Sequence, residues 1–164
     1  MRVFLSWAGP LSHALATTLH DWIPLVIQPA RPFISEDIAK GRRWSAVLAE
    51  QLSESDCGIV CVTKDNLAAP WLHFEAGAIS KMTGKSNVSP LLLNIKKSEA
   101  DGPLSQFQLT VCERDDIFRL MQSINNQLGP EIRLPDDLLI REFEKWWPDL
   151  ESISQIHQWP SPRV

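Results

Sequence analysis

Short apolar runs alternate along this chain with segments whose apolar residues recur every three or four positions. The short runs are typical of buried strands and span residues 3–7, 23–27, 58–63, 88–95 and 109–112. Helical spacing covers residues 11–22, 44–52, 70–80, 115–128 and 136–147. Because strands that alternate with helices form parallel sheets, the pattern predicts an α/β fold with a five-stranded, mainly parallel sheet and helices on both faces.

Proline and aspartate positions predict where several of these elements begin and end. Pro24 interrupts the second apolar run, which is therefore expected to be a short strand near a sheet edge or a switch point. Asp115 or Asp116 is expected to cap the helix that begins there. Pro148 is expected to close the final helix, because proline interrupts a helix interior.

Length and composition fit an ordinary globular domain. The chain has 164 residues, of which 44% are hydrophobic and 22% charged, so one full-sized core is expected. We assign that domain to residues 1–150 and a C-terminal tail to residues 151–164. The net charge of −4 argues against a general nucleic-acid binder, although a local basic cluster can still hold a phosphorylated small molecule.

Nothing in the sequence indicates secretion, membrane insertion or a metal site. No apolar run is long enough to span a bilayer, and no leader precedes the first strand, so a cytoplasmic location is expected. Three cysteines do not make a disulfide framework, and Cys57 and Cys61 lie in an apolar run where small buried residues are expected. The four histidines are scattered, so no metal is expected.

The segment 70–80 carries the most informative residue, Glu75. On a helix its neighbours three and four positions away are apolar, so the carboxylate shares an apolar face. A buried carboxylate is costly unless it is paired or opens to a pocket, which makes Glu75 a candidate catalytic group. The alternative is that Glu75 lies at the edge of the apolar stripe and reaches solvent or a nearby arginine.

Ligands in parallel α/β sheets collect at the carboxyl ends of the strands. In this chain those ends fall in the segments 6–10, 33–43, 63–70 and 94–101. The segment 33–43 contains a dense basic group, Lys40, Arg42 and Arg43. These side chains are candidate donors to a pyrophosphate, and the alternative is a solvated basic loop.

Four segments, taken in order, resemble the Toll/interleukin-1 receptor (TIR) domain family, and in particular its stand-alone prokaryotic members. Residues 3–9 (VFLSWAG) resemble the first strand and its loop, and residues 32–44 (PFISEDIAKGRRW) resemble the family's BB loop. Residues 57–63 resemble the third strand, and residues 71–78 (WLHFEAGA) resemble the helix of the catalytic glutamate. The resemblance covers about residues 1–128 and implies a flavodoxin-like fold.

The resemblance implies cleavage of the nicotinamide–ribose bond of NAD⁺ with Glu75 as the catalytic residue. NAD⁺ is then the substrate, and no cofactor is implied. Because nicotinamide in NAD⁺ is already a cationic leaving group, no general acid is needed to expel it. One ionised carboxylate can stabilise oxocarbenium-like charge and orient the attacking hydroxyl. The product, whether ADP-ribose, a cyclic ADP-ribose isomer or another conjugate, stays open.

The substrate-binding residues expected from these loops include aromatic, basic and hydroxyl side chains. They are Ser6, Trp7, Ala8, Phe33, Arg42, Arg43, Trp44 and Trp71. Tryptophan can stack on adenine or nicotinamide, but packing against the sheet is an equal alternative for Trp7 and Trp44. Ser6 can bond a ribose hydroxyl or merely cap the next turn.

Two other functions compete with the NAD⁺-cleaving enzyme. One is a non-enzymatic scaffold that assembles through TIR–TIR contacts, and the other is an enzyme resembling nucleoside deoxyribosyltransferases. A glutamate kept in an apolar setting favours an enzyme, and the absence of G-x-G-x-x-G and Walker A motifs argues against a nucleotide held in Rossmann fashion. For the enzyme, the family implies prokaryotic anti-phage defence or signalling, triggered by a partner, a ligand or self-association near residues 35–43.

Overall fold

The computed structural model describes residues 1–34, 54–67, 87–100 and 107–156. Its strands are β1 (Arg2–Ser6), β2 (Arg31–Ile34), β3 (Cys57–Val62), β4 (Asn87–Leu92) and β5 (Thr110–Val111). Its helices are α1 (Pro10–Val26), α2 (Lys64–Leu67), α3 (Arg114–Gln127) and α4 (Asp136–Ile156), with a 3₁₀ turn at Lys97–Glu99.

The five strands form one sheet in the order β2-β1-β3-β4-β5, and every neighbouring pair is parallel. This order is the flavodoxin-like order, so the predicted α/β class and five-stranded parallel sheet are confirmed. Pro32 lies in β2 at the sheet edge, where the lack of an N–H group removes no bond from an interior ladder.

Alternating side chains divide the sheet into two apolar faces. Val3 and Leu5 of β1 pack in the larger cluster with α1, α3 and α4, whereas Phe4 between them packs on the opposite face. On β3, Ile59 belongs to the first face and Val60 to the second. Leu67 of the short helix α2 packs on this second face. The predicted helices at 44–52 and 70–80 lie outside the described residues.

The apolar run at 23–27 is not a strand, and this prediction was wrong. Residues up to Val26 continue α1 with Pro24 inside the helix, and the second strand is Arg31–Ile34 instead. Trp22, Ile23 and Val26 are buried at the helical spacing of the preceding residues, so packing of that face outweighs the missing proline N–H. The carbonyl freed by Pro24 belongs to His20, an exposed residue.

The final helix also continues through its proline, contrary to the prediction that Pro148 closes it. It runs to Ile156, so residues 151–156 of the predicted tail are helical. Leu150 and Ile153 extend the buried stripe by one further turn, whereas Pro148 is on the exposed side. Burial of that stripe offsets the loss of one helical hydrogen bond.

Asp115 and Asp116 do not cap their helix, which begins at Arg114 with Glu113 as N-cap and, among the described residues, no side-chain capping bond. The Asp116 carboxylate instead accepts the backbone N–H of Val111 at 3.0 Å and pairs with Lys97 at 3.0 Å. Burial acts to raise the pKa of the Asp116 carboxyl, but these donors together hold that pKa below its ordinary value. Asp116 therefore holds the edge strand β5 to α3.

Candidate functional site

The strand order predicts a ligand-binding crevice at the carboxyl ends of β1 and β3. The chain leaves β1 toward β2 on one side, and the later strands extend on the other side, so β1 and β3 flank the topological switch point. Open parallel sheets bind ligands at this position. The crevice is bordered by the loop at residues 7–9, which joins β1 to α1, and by the turn at residues 63–67, which follows β3.

Ser6 is the last residue of β1, at this crevice. It lies on the same face of the sheet as Phe4 and pairs in register with Val60 of β3. The residue is 0% exposed, and within the described part of the chain its Oγ has no hydrogen-bond partner. A buried hydroxyl without a partner costs about 1–3 kcal/mol, so this group is poorly explained by the fold alone.

Thr63 follows the last residue of β3 and repeats the same feature. It is 1% exposed, and its Oγ1 likewise has no partner among the residues that the structure describes. Sequence reasoning did not select Thr63 as a site residue. A hydroxyl residue directly after the continuous apolar run 58–62, at a carboxyl strand end, was the available signal.

The loop at residues 7–9 is held in a defined shape by α1. The Ser12 hydroxyl accepts the Ala8 N–H at 2.8 Å and lies 2.7 Å from the Ala8 carbonyl oxygen, to which it donates. Gly9, the N-cap residue of α1, has φ 96° and ψ 163°, a backbone region that is essentially restricted to glycine. The predicted site residue Ala8 is therefore placed through its backbone.

Asn66, the second residue missed by sequence reasoning, joins this loop to β3. Its side-chain Nδ2 donates to the Ala8 carbonyl oxygen and to the Cys61 carbonyl oxygen, each at 3.1 Å. Its Oδ1 accepts the Thr63 N–H at 2.8 Å. The residue is 4% exposed, so the amide is buried between the two strand ends.

The structure brings Ser6, Trp7 and Ala8 together but not Phe33. The Trp7 ring is half-buried and contacts the His13 ring, with 4.2 Å between the ring centroids. Phe33 pairs in register with Phe4 and packs on it at 5.2 Å, and the Arg2 guanidinium covers the Phe33 ring at 4.5 Å. The Phe33 ring therefore contacts Phe4 and Arg2 of β1.

Burial affects the ionisation of the three thiols. All three cysteines are free and buried. Burial, together with the nearby carboxylate of Asp56, raises the pKa of the Cys57 thiol to about 12, and burial with Glu113 raises that of Cys112 to about 12. Burial also raises the pKa of Cys61 far above neutrality. Burial therefore disfavours the thiolate form at all three positions.

A family model described as the TIR domain matches residues 3–121 of this chain. The chain belongs to the TIR domain family. This membership confirms the resemblance that the four sequence segments predict.

Among solved structures, the chain is similar to the TIR domains in the activated Roq1 resistosome, which directly recognizes the pathogen effector XopQ. The identity is 16% and the TM-score 0.43, and the match covers 94% of this chain and 83% of that chain. No curated protein sequence matches the chain.

Several predicted site residues of this TIR domain lie outside the described residues, namely Glu75, Arg42, Arg43, Trp44 and Trp71. Across the described ranges, no group of three or more His, Cys, Asp or Glu side chains lies together so as to hold a metal ion. Within these ranges, no helix is long and apolar enough to cross a membrane.

Proposed function

We propose that this TIR domain cleaves the nicotinamide–ribose bond of NAD⁺, as a glycohydrolase or an ADP-ribosyl cyclase. The observation that carries the proposal is the buried Ser6 hydroxyl, which lacks a partner in the described chain at the carboxyl end of β1. A hydroxyl is both donor and acceptor, so it fits a ribose hydroxyl, which has the same two capacities. Membership of the TIR domain family supports NAD⁺ as the ribose-bearing substrate.

In the proposed reaction, Glu75 is the catalytic group and the crevice residues bind the substrate. Glu75 acts as the catalytic carboxylate: it stabilises the positive charge that develops on the ribose and orients the attacking hydroxyl. Ser6 holds the ribose, and Trp7 offers an aromatic face to one of the two bases of NAD⁺. Ser6 is fully covered in the structure, so substrate binding has to displace a neighbouring side chain to reach it.

We further propose that the enzyme works in prokaryotic anti-phage defence or signalling and that self-association through TIR–TIR contacts activates it. The segment 35–43 is the proposed contact region, on the strength of its resemblance to the family's BB loop. Activity is therefore expected to depend on protein concentration, because association follows mass action.

The proposal is tested by following nicotinamide release from NAD⁺ with the purified chain at high concentration, beside Glu75→Ala. Turnover in the wild type that disappears in a folded Glu75→Ala variant supports the assignment. Turnover that survives this substitution keeps an NAD⁺-cleaving enzyme but removes Glu75 from its centre. No turnover by the wild type, even when the chain is assembled, favours the non-enzymatic scaffold instead.

Ser6→Ala gives the matched test of the crevice, with Ser98→Ala as control because Ser98 is exposed on the 3₁₀ turn. One lost hydrogen bond to substrate is expected to lower kcat/KM about tenfold, whereas the control stays within twofold of the wild type. Equal activities for the two variants would remove Ser6 from the substrate site.

A further inference from the structure

Asn66 connects two strand ends that are far apart in the sequence. The bond from its Nδ2 to the Ala8 carbonyl oxygen spans 58 residues, whereas its bonds to Thr63 and Cys61 stay within the β3–α2 segment. The turn itself is also closed by backbone bonds from Asn66 N and Leu67 N to the Thr63 carbonyl oxygen. The amide therefore adds to this turn a contact with the neighbouring loop.

The Ala8 carbonyl oxygen is held from two sides. Asn66 Nδ2 donates to it from the β3 side, and Ser12 Oγ donates to it from α1. Ala8 comes two residues after Ser6, and Ser6 and Thr63 carry the two buried hydroxyls without partners in the described chain. The position of Ala8 thus fixes how far the β1 side of the crevice stands from the β3 side.

We propose that Asn66 is a positioning residue that sets the spacing between the loop at residues 7–9 and the end of β3, and so the fit of NAD⁺ in the crevice. The inference rests on the proposed function for the identity of the substrate. It goes beyond that function in assigning a role to a side chain that touches none of the reacting atoms.

The chemistry of asparagine fits this role. The amide nitrogen has two N–H donors and meets two carbonyl oxygens, while the amide oxygen meets one backbone N–H. Aspartate has the same shape, but when ionised it offers no donor and would face two carbonyl oxygens with a negative charge. A serine hydroxyl has one proton and cannot donate to both carbonyl groups.

The chain contains a matched control in Asn125. This residue is 1% exposed, its Nδ2 donates to the Leu134 carbonyl oxygen at 2.8 Å, and its Oδ1 accepts the Leu134 N–H at 2.9 Å. It also joins two segments through a buried amide, but near the end of α3. The neighbouring residues Ile124 and Gln127 line a small hollow with Cys57 at the amino end of β3, opposite the crevice.

The experiment compares Asn66→Ala with Asn125→Ala by steady-state nicotinamide release from NAD⁺. Irreversible loss of folded protein lowers the apparent kcat without changing KM, whereas a reversible unfolding equilibrium raises the apparent KM, so urea denaturation must first show that both variants are fully folded under the assay conditions. Displacement of the loop changes substrate fit, so Asn66→Ala is expected to raise KM by about 10- to 100-fold. Asn125→Ala is expected to leave KM within twofold of the wild type. An unchanged KM in Asn66→Ala overturns the proposal.

A second pair of variants tests the same loop if Asn66→Ala does not fold. Ser12→Ala removes the other donor to Ala8, and Thr18→Val removes a hydroxyl that makes the same type of bond within α1, to the Ala14 carbonyl oxygen at 2.9 Å. We expect Ser12→Ala to raise KM and Thr18→Val to leave it unchanged. Equal KM values for these two variants would contradict a positioning role for the held Ala8 carbonyl.

Hydrogen exchange separates failure of this inference from failure of the proposed function. If the wild type releases no nicotinamide, the proposed function fails, and amide exchange over residues 7–13 then tests the positioning alone. Exchange there is expected to rise at least tenfold in Asn66→Ala and to stay unchanged in Asn125→Ala. An equal exchange rate in both variants overturns the inference whether or not the chain cleaves NAD⁺.

Discussion

Buried polar groups have hydrogen-bond partners on the helix-covered face of the sheet but lack them at the crevice end. In the aromatic cluster between α1, α3 and α4, three indole N–H groups each have an acceptor. Trp22 donates to the Trp146 carbonyl oxygen at 2.7 Å, Trp146 to Glu142 at 3.3 Å, and Trp147 to Glu151 at 2.6 Å. At the crevice, Ser6 and Thr63 each bury a hydroxyl that has no partner in the described chain.

Under the proposed function, this difference separates groups that serve the fold from groups that would pair with a bound substrate. A buried polar group that has a partner adds to the specificity of the packing, whereas one without a partner destabilises the free protein. The partnered indole N–H groups therefore support the packing of the aromatic cluster. The two hydroxyls at the crevice destabilise the free protein, and a bound hydroxyl or amide can pair with them. Removal of a buried group that packs or has a partner should therefore lower stability, whereas removal of a buried hydroxyl without a partner should not.

The largest effect is expected from Phe143→Ala. Phe143 is 1% exposed, stacks on Trp147 at 5.7 Å and meets the Trp22 ring edge-on at 5.9 Å. Its truncation leaves a cavity among these rings and should lower the free energy of unfolding by about 3–5 kcal/mol. Urea denaturation measures the change. Ile140→Ala on the same helix is the control, because Ile140 is 43% exposed, and its effect should stay within about 0.5 kcal/mol.

Gly9→Ala should destabilise the crevice loop by strain alone. A Cβ at Gly9 meets no atom within 4 Å, but the φ of 96° is unfavourable for any side chain. We expect a loss of about 1–3 kcal/mol in the free energy of unfolding, measured by thermal or urea denaturation. Gly129→Ala also meets nothing within 4 Å and has no such φ, so it should be close to neutral. Equal losses would show that strain at Gly9 is not the cause.

Asp116 extends the comparison to a charged side chain that has hydrogen-bond and ion-pair partners. Its pKa is lowered in the folded state, so its stabilisation is present above the ordinary carboxyl pKa and is lost as the pH falls through the lowered folded value. Asp116→Asn should cost about 1 kcal/mol at neutral pH, because Lys97 and Arg119 are solvent-exposed and the pairs are screened. Denaturation at several pH values should show the gap between wild type and variant closing under acid conditions.

Asp115→Asn is the control for this pH dependence. Asp115 precedes Asp116 on the same helix, but its side chain is 78% exposed and pairs only with the exposed Arg114 among the contacts described. A gap that closes equally for both variants would assign the acid effect to general surface charge rather than to Asp116.

The smallest effect on stability is expected from Ser6→Ala, and its sign is the sharpest test of the comparison. Removal of a buried hydroxyl without a partner should leave the free energy of unfolding unchanged or raise it by about 1 kcal/mol. The same substitution should lower turnover of NAD⁺. A clear loss of stability, measured by urea denaturation beside Ser98→Ala, would mean that the Ser6 hydroxyl serves the fold.

Local patterns in the sequence predicted the sheet well. Apolar runs at 3–7, 58–63 and 109–112 fall on β1, β3 and β5, and the helical spacing at 115–128 falls on α3, because each pattern reports which side of a short element is buried. The segments that resemble TIR domains also predicted the family, which the match over residues 3–121 confirms.

The same patterns predicted only part of the candidate site. Ser6, Trp7 and Ala8 were selected because they follow a strand, and the structure places them at the crevice. Phe33 was selected for the same reason, but its ring packs between Phe4 and Arg2, because the register of β2 on β1 decides its neighbours. Glu75, the proposed catalytic residue, lies outside the described residues and stays a prediction.

By itself, the sequence determined the α/β class, the main strands and the family, since these depend on periodicity and on short ordered motifs. Only the tertiary structure decided that α1 and α4 continue through Pro24 and Pro148, because the buried stripe on each helix outweighs one missing hydrogen bond. Likewise, only the tertiary structure brings the Asn66 amide into a hydrogen bond with the Ala8 carbonyl oxygen, 58 residues away in the sequence. Hydrogen bonds between distant segments depend on which segments the fold brings together, and the periodicity within one element does not report this.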